Sequence, residues 1–456
     1  MVSNLSHQKM KAIATLLAFS LLVTACLNKN GNNKEGALKS QTSGIKEAEN
    51  GTDTTTISIV FPSIPERAIS VGGAAADIKG FSSEAIQTAV NALHNEGGGK
   101  IILLPGTFDI IAPVKLYSNI SLSGAGLKSV LKKCKGFRSA FALDADYGEL
   151  QVTVTDASGF RQGMGVAVYD DDKRSGWDLT TARIAFIKGN VLHLDDYLLR
   201  DYRSDKHGMI SNACSVIEAV EAENIRISDL VVDGNGKSND MVDGCRAGGI
   251  YLHKVRNAVV ENITVKNFNC DGISWQITEH VTVSNCEVYD CSNSGLHPGT
   301  GSPYTLVEGN KCHDNGGYGL FVCWRVRNGA VRNNIFSNNG KNGISTGHKD
   351  TDMLFEGNHI FENGSDGIYL RGESDLNAPH RTIFKNNTIE NNGTKEEGAG
   401  ITINCRAEGV TLENNIIRNT GTGKQLAAVR LLSGSLPVIM KDNIISGHPK
   451  GELIKE

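Results

Sequence analysis

The feature that most restricts what this chain can fold into is a glycine that returns at nearly constant spacing. Gly249, Gly272, Gly295, Gly319, Gly343 and Gly367 are separated by 23, 23, 24, 24 and 24 residues, and Gly400 resumes the pattern after a longer interval. Each is followed by isoleucine or leucine, then by a turn and a second apolar run, as at residues 259–265, 281–288, 330–336 and 410–417. Alternation at period two within these runs is a strand signal, and none of them carries an amphipathic-helix pattern. A short unit of this kind cannot bury its apolar face alone, so the pattern predicts parallel strands stacked once per coil in a solenoid. Such growth along one axis lets 456 residues share a core, where a compact fold of that length would divide into several domains.

Polar residues keep the same register. Asn310, Asn334, Asn358 and Asn415 each lie 15 residues after the glycine of their own coil. An amide repeated at one turn of a coil can bond its neighbours above and below, so these residues read as an internal ladder that satisfies turn backbone, with no catalytic part. The pairs Asn338-Asn339, Asn391-Asn392 and Asn419-Thr420 mark a second corner. Composition agrees with a packed array: 39% hydrophobic residues, 51 glycines and only 9 prolines exclude a disordered or collagen-like chain. With 46 Lys+Arg against 50 Asp+Glu the net charge is −4, so a nucleic-acid partner is not expected.

Near the start, residues 83–90 (Ser-Glu-Ala-Ile-Gln-Thr-Ala-Val) and 97–108 (Gly-Gly-Gly-Lys-Ile-Ile-Leu-Leu-Pro-Gly-Thr-Phe) precede the repeats. Ala85, Ile86, Ala89, Val90 and Leu93 share one helical face, with Ser82 or Ser83 as N-cap and Gly97 at the C-terminus, which predicts a short helix able to plug the open end of a solenoid. With these segments, residues 57–447 resemble the right-handed parallel β-helix proteins of the pectate-lyase-like superfamily. The resemblance implies an all-β fold with an N-terminal cap and first coils over 57–137 and a main β-helix over 214–447, followed by a tail at 448–456. Residues 138–213 break the period and are expected to form an inserted β-subdomain.

The first residues are expected to be an address. Lys9 and Lys11 precede an apolar run over residues 12–25 that suits a signal peptide and is too short to span a bilayer. It ends Val23-Thr24-Ala25-Cys26, which resembles the bacterial lipobox and implies lipidation at Cys26, with residues 26–56 as a flexible tether at an envelope membrane. Nine cysteines remain, without CxxC pairs, and read as buried small hydrophobes.

Numbering each coil from its glycine reveals one unusual patch. His253 and Lys254, Gln276, His297, Trp324 and Arg325, then His348, Lys349 and Asp350, and finally Arg371 and Glu373 fall two to seven residues after successive glycines. Arg325, Lys349 and Glu373 share offset six, which predicts Cα atoms ~5 Å apart stepwise. An exposed Trp beside histidines and cations suits a polysaccharide. Three chemistries fit these residue types. In β-elimination from a uronic-acid glycan, Arg325, Lys349 or Arg371 would neutralise the sugar carboxylate while His297, His348 or Lys349 takes the C5 proton. In glycoside hydrolysis, Asp350 and Glu373 would flank the bond, with Asp352 nearby; His253, Gln276, Trp324 and Asp352 are the expected substrate contacts. The polygalacturonase branch has Asn-Thr-Asp and paired Asp-Asp, where this chain has Asn269-Cys270-Asp271 and Asp290-Cys291. Gly295-Leu296-His297-Pro298 with His313-Asp314-Asn315-Gly316 is similar to the mannuronan C5-epimerases, whose Asp-Pro-His is replaced by His297-Pro298-Gly299. A non-catalytic glycan-binding surface lipoprotein is the reading from another class, and titratable groups gathered in one patch favour an enzyme over it. Calcium would need an acidic cluster; Asp170, Asp171 and Asp172 are contiguous but point alternately and read as a solvated turn, so no cofactor is assigned. If Cys26 carries the anchor, Cys26→Ser is expected to move the protein from the membrane fraction to the soluble fraction.

Overall fold

The computed structural model describes residues 60–456 apart from Arg174 and Ser433. The expected signal peptide, Cys26 and the whole tether lie outside these residues. Three parallel sheets form the walls of a right-handed β-helix. One has 13 strands and ends at Ile439–Lys441; a second has 11, from Gly106–Ile110 to Ile444–Ser446; the third also has 11, from Val114–Leu116 to Gly451–Lys455. The last of these strands lies within the stretch expected only as a C-terminal tail, and it pairs with Gln425–Leu431.

The glycine repeat sets this register. Ile250, Ile273, Leu296, Leu320, Ile344, Ile368 and Ile401 stand opposite one another on successive strands of the third sheet, and all are fully buried. The glycine before each is required by close approach. A Cβ at Gly319 would lie 2.7 Å from the Gly343 carbonyl, and one at Gly343 would lie 2.8 Å from that of Gly367 and 2.4 Å from Ile360 Cγ2. Coil therefore contacts coil at backbone distance, and the aliphatic column packs into one core along the solenoid.

The asparagine ladder is present and longer than the sequence alone indicated. Asn310, Asn334, Asn358, Asn387, Asn415 and Asn443 are joined in sequence, each amide bonding the next at 2.9 Å. Each of the first five also accepts the backbone N–H of the preceding member where one exists, and donates to a carbonyl of the coil before. Asn315, Asn339, Asn363, Asn392 and Gln425 form a second ladder at the other corner.

The helix α1 (Ser83–Asn95) buries Ile86, Ala89, Val90 and Leu93, and Ser82 caps it by accepting the Ala85 N–H. It packs on the first strands of the coil. Between the first coils and the main repeats, Arg138–Ala140, Gln151–Thr153, Gly165–Tyr169, Thr180–Lys188, Val191–Leu194 and Met209–Ser211 make a six-stranded sheet with antiparallel pairings and a separate apolar cluster. All nine described cysteines are free thiols, six of them buried.

Replacing Asn358 by Ala removes two donated and two accepted bonds inside the core. Each stranded group costs about 1–3 kcal/mol, so Asn358→Ala is expected to lower unfolding stability by several kcal/mol in denaturant titration, whereas an exposed asparagine should cost little.

Candidate functional site

Residues that alternate outward from the third sheet form a line along one side of the solenoid. Register places Glu218, Tyr251, Ser274 and His297 on successive strands, followed by Phe321, Ser345, Tyr369 and Thr402. Outward residues on such a wall are ordinarily wet, yet Ser274 and Gln276 have no exposure and His297 has 4%. The inserted sheet and the stretch before Gly249 cover this part of the wall; Ser274 Oγ, for example, donates to the Gly244 carbonyl at 2.6 Å.

At its centre is a carboxylate–imidazole pair. His297 Nδ1 lies 2.7 Å from Asp271 Oδ2, and both side chains are buried. Asp271 Oδ1 accepts from Asn293 Nδ2 and from the Ser294 N–H, both at 2.8 Å, which fixes the carboxylate. The pair needs Gly244 above it, since a Cβ there would fall 1.6 Å from Asp271 Oδ2. With Nδ1–H held by the carboxylate, Nε2 is the nitrogen left over, and it makes no hydrogen bond of normal geometry, although the Cys323 thiol lines the same cavity. Burial opposes the imidazolium, but the charge of Asp271 and its hydrogen bond, with Cys323 acting in the same direction, outweigh burial and raise the pKa of His297 above its ordinary value.

A cavity of about 470 Å³ contains this pair. Tyr169, Lys173 and Leu179 of the insert form one side, Asp243 and Cys245 another, and Phe321 and Cys323 continue the floor. Lys173 Nζ is 2.9 Å from Asp243 Oδ2. Phe321 sits edge-on to the His297 ring at 5.2 Å, and the Arg371 guanidinium lies over the Phe321 ring at 4.7 Å. Arg371 is held by Ser345 Oγ at 3.1 Å.

Beyond Arg371 the patch read from the sequence divides into parts with different duties. Trp324 is 50% exposed and its ring is 5.0 Å from that of His348, whose Nδ1 is 3.0 Å from Glu373. Trp324 and Arg325 both occupy the left-handed region, at φ 63° and 64°, an uncommon conformation for two bulky neighbours that turns the indole outward. Lys349 and Arg325 are exposed. Asp350, expected to flank a scissile bond, is instead fully buried: it accepts the Gly347 and Val326 N–H groups and lies 3.5 Å from Arg371, so it braces the turn. Burial pushes its carboxyl up to about 6 against the opposing charge of Arg371. Asp352 is taken by Arg381 at 2.6 and 2.8 Å. Gln276 is likewise buried, bonded to Ser274 Oγ and to the His297 carbonyl, and orders the floor instead of meeting solvent. His253 lies in a separate cavity two strands from His297.

The shared column of Arg325, Lys349 and Glu373 is corrected. The Lys349 N–H bonds the Asn377 carbonyl, so Asn377 and not Glu373 follows Lys349 in the stack. The coil that starts at Gly367 is longer than its predecessors and places part of its extra length directly after Leu370, where offsets counted from glycine no longer hold. Asp170, Asp171 and Asp172 do not converge either: Asp170 is buried against Arg200, and Asp171 pairs with His207 at 2.5 Å. No group of three or more His, Cys, Asp or Glu among the described residues is placed to hold a metal ion.

Asp271, Phe321 and Lys173 were not identified as site residues from the sequence. Asp271 immediately precedes Gly272, so offsets counted backwards from the glycines would have shown it; Lys173 comes from the insert, whose docking no periodicity reveals.

The family model of the right-handed β-helix region matches residues 215–378 and 348–445. No curated protein matches the chain in sequence. Among solved structures it is similar to the A-module of a mannuronan C-5 epimerase from Azotobacter vinelandii, with TM-score 0.56, 17% identity and coverage of 82% of this chain and 87% of that one. It is also similar to the catalytic unit of an α-1,3-glucanase from Streptomyces thermodiastaticus (TM-score 0.52, 14% identity, 86% of this chain and 66% of that one). A glycoside hydrolase gives TM-score 0.53 at 10% identity, covering 84% of this chain and 97% of that one.

Because Asp271 raises the pKa of His297, the imidazole signals of His297 followed by NMR are expected to titrate well above the usual histidine range, and in Asp271→Asn to move down. The stabilisation from this pair is complete below the ordinary histidine pKa and fades as pH rises through the raised one.

Proposed function

Because the chain belongs to the right-handed β-helix family, we propose that its covered wall is the active site of a carbohydrate-active enzyme, and that the enzyme is a lyase that cleaves a uronic-acid glycan by β-elimination. The observation that carries this reading is the unpaired Nε2 of a buried histidine, oriented by Asp271, in a cavity lined by the cation Lys173 and by Phe321, with Arg371 over the Phe321 ring.

Elimination needs one group that takes the C5 proton, a cation that stabilises the enolate-like charge on the sugar carboxylate, and a proton for the departing O4. His297 can serve both ends of that transfer. Neutral Nε2 takes the C5 hydrogen, the C5 electron pair forms the C4–C5 double bond as the C4–O4 bond breaks, and the same nitrogen returns the proton to O4. Histidine ends as it began, and no second base is required. Lys173, which the carboxylate would draw from Asp243, is the cation placed to meet it, with Arg371 further along the wall, and Trp324 with His348 supplies a platform for a neighbouring sugar. Hydrolysis through Asp350 and Glu373 is less well supported, because Asp350 is sealed beneath the turn and Glu373 is committed to His348.

Epimerisation at C5 is the second reading. The A-module from Azotobacter is named a mannuronan C-5 epimerase, and removal of the C5 proton is the step that epimerisation and elimination share. The products separate them. We also propose that the protein works outside the cytoplasm, held at an envelope membrane through Cys26, which places it where polysaccharides are met.

Incubation with a panel of uronic-acid polysaccharides is expected to give rising ultraviolet absorbance from unsaturated ends. Saturated reducing ends alone would reject elimination, and inverted C5 centres without cleavage would select epimerisation. His297→Ala should lower turnover by about 10²–10⁴-fold with little change in thermal unfolding. Because the active imidazole is neutral, turnover should rise with pH through the raised pKa of His297 and fall off on the acid side; Asp271→Asn should shift that limb to lower pH while reducing the maximum rate.

A further inference from the structure

A second cavity, of about 360 Å³, lies further back along the same line of outward residues, between the insert and the first coils. Lys115 and Glu218 stand opposite one another on adjacent strands at its base, and Tyr251 follows Glu218 on the next. Three cations reach this space: Lys115, Arg183 and Arg246. None of them forms an ion pair among the described residues. Arg183 makes only a long bond from its guanidinium to the Pro113 carbonyl, at 3.4 Å. Arg246 lies 5.8 Å from the Trp177 ring and its Nε is buried with no hydrogen-bond partner.

The acidic groups around the cavity form no ion pair with these cations. Asp195 accepts the backbone N–H of Arg183, Asp196 that of Tyr197, and Glu221 is paired with Lys254 at 2.7 Å. Burial pushes the Glu218 carboxyl up, against the opposing charges of Lys115, Arg183 and Arg246. His253 adds a second buried nitrogen without a partner, Nε2, and its ring lies between Trp177 at 5.5 Å and Tyr251 at 6.1 Å. Burial, with the charge of Arg246 behind it, lowers the His253 pKa to about 4, so the ring is neutral and free to exchange hydrogen bonds with a hydroxyl.

Half-buried cations without ion pairs, beside aromatic faces and a neutral imidazole, form a site for a ligand that is both anionic and rich in hydroxyls. We propose that this cavity is a second sugar subsite, in which Arg246, Arg183 and Lys115 hold the carboxylate of a uronate residue belonging to the same glycan chain that reaches His297. The inference rests on the uronic-acid reading above and adds a site to it. Tyr251 and Glu218 lie two and three strands before His297, which at ~4.8 Å per strand is about 10–14 Å. A short oligosaccharide spans that distance and a single sugar does not, so binding should strengthen when the chain is long enough to fill both places.

The test is calorimetric titration of the full chain carrying His297→Ala, which prevents consumption of the ligand, with hexamers of galacturonate, mannuronate and guluronate, a neutral glucose hexamer and a sulfated neutral hexamer. At least one uronate hexamer is expected to bind more tightly than the neutral and sulfated ones and more tightly than its own dimer. Adding Arg246→Ala should weaken that binding about tenfold or more, as loss of a charge-assisted contact does. Lys115→Ala should act in the same direction and decides the matter if the Arg246 variant unfolds. Equal binding of the neutral hexamer, binding confined to the sulfated one, no binding of any uronate, or affinity unchanged in the variants would overturn the proposal. Uronate binding that depends on these cations, in a protein whose wild type yields no unsaturated product, would uphold the subsite while rejecting the lyase reading.

Discussion

Each coil of this protein can turn its corners only if the backbone and side chains at the turn find hydrogen-bond partners inside the protein, because the corners face the core and the neighbouring coils instead of water. The two amide ladders meet that demand, one through Asn310 to Asn443 and the other through Asn315 to Gln425. An asparagine has two donors and an acceptor with two lone pairs, enough to bond the coil before and the coil after at once. That reciprocity holds the coils in strict register, and the glycine column lets them approach closely. Without the register, outward side chains on successive strands would not form lines, and the site depends on such a line.

The repeat supplies alignment, and departures from it supply chemistry. On an undecorated wall His297 would be a solvated imidazole. Here the insert and the Gly244 turn close over it, and the removal of water lets one carboxylate control its basicity. Asp366 occupies the equivalent place before Gly367, yet its carboxylate is spent on Thr402, Arg430 and the Ala399 N–H. The contrast lies in the partner: the Asp366 carboxylate bonds groups that only brace the coil, whereas Asp271 bonds an imidazole whose other nitrogen is left for a ligand.

The coil, its register and the first ladder were legible in the sequence because each follows from a residue type recurring at a fixed interval. Much of the site was not. His297, Arg371 and Trp324 were visible as unusual residues at known offsets, but Asp350 and Gln276 look outward by the same count and are buried, since a covering insert and a brace cannot be read from periodicity. Glu373 left its column because the coil after Gly367 has extra residues in the turn. Lys173, Arg183 and Arg246 come from segments outside the regular strands of the repeat, and their convergence on the wall is a tertiary fact.

The central claim, that the dyad of His297 and Asp271 removes a proton from C5 of a uronate, is tested most directly by the rate of turnover of an oligouronate deuterated at C5. If His297 takes that hydrogen in the rate-determining step, the deuterated substrate reacts more slowly than the protiated one, and the label is absent from the unsaturated product. Equal rates for the two substrates, with the deuterium retained at C5 of a saturated product, would contradict it.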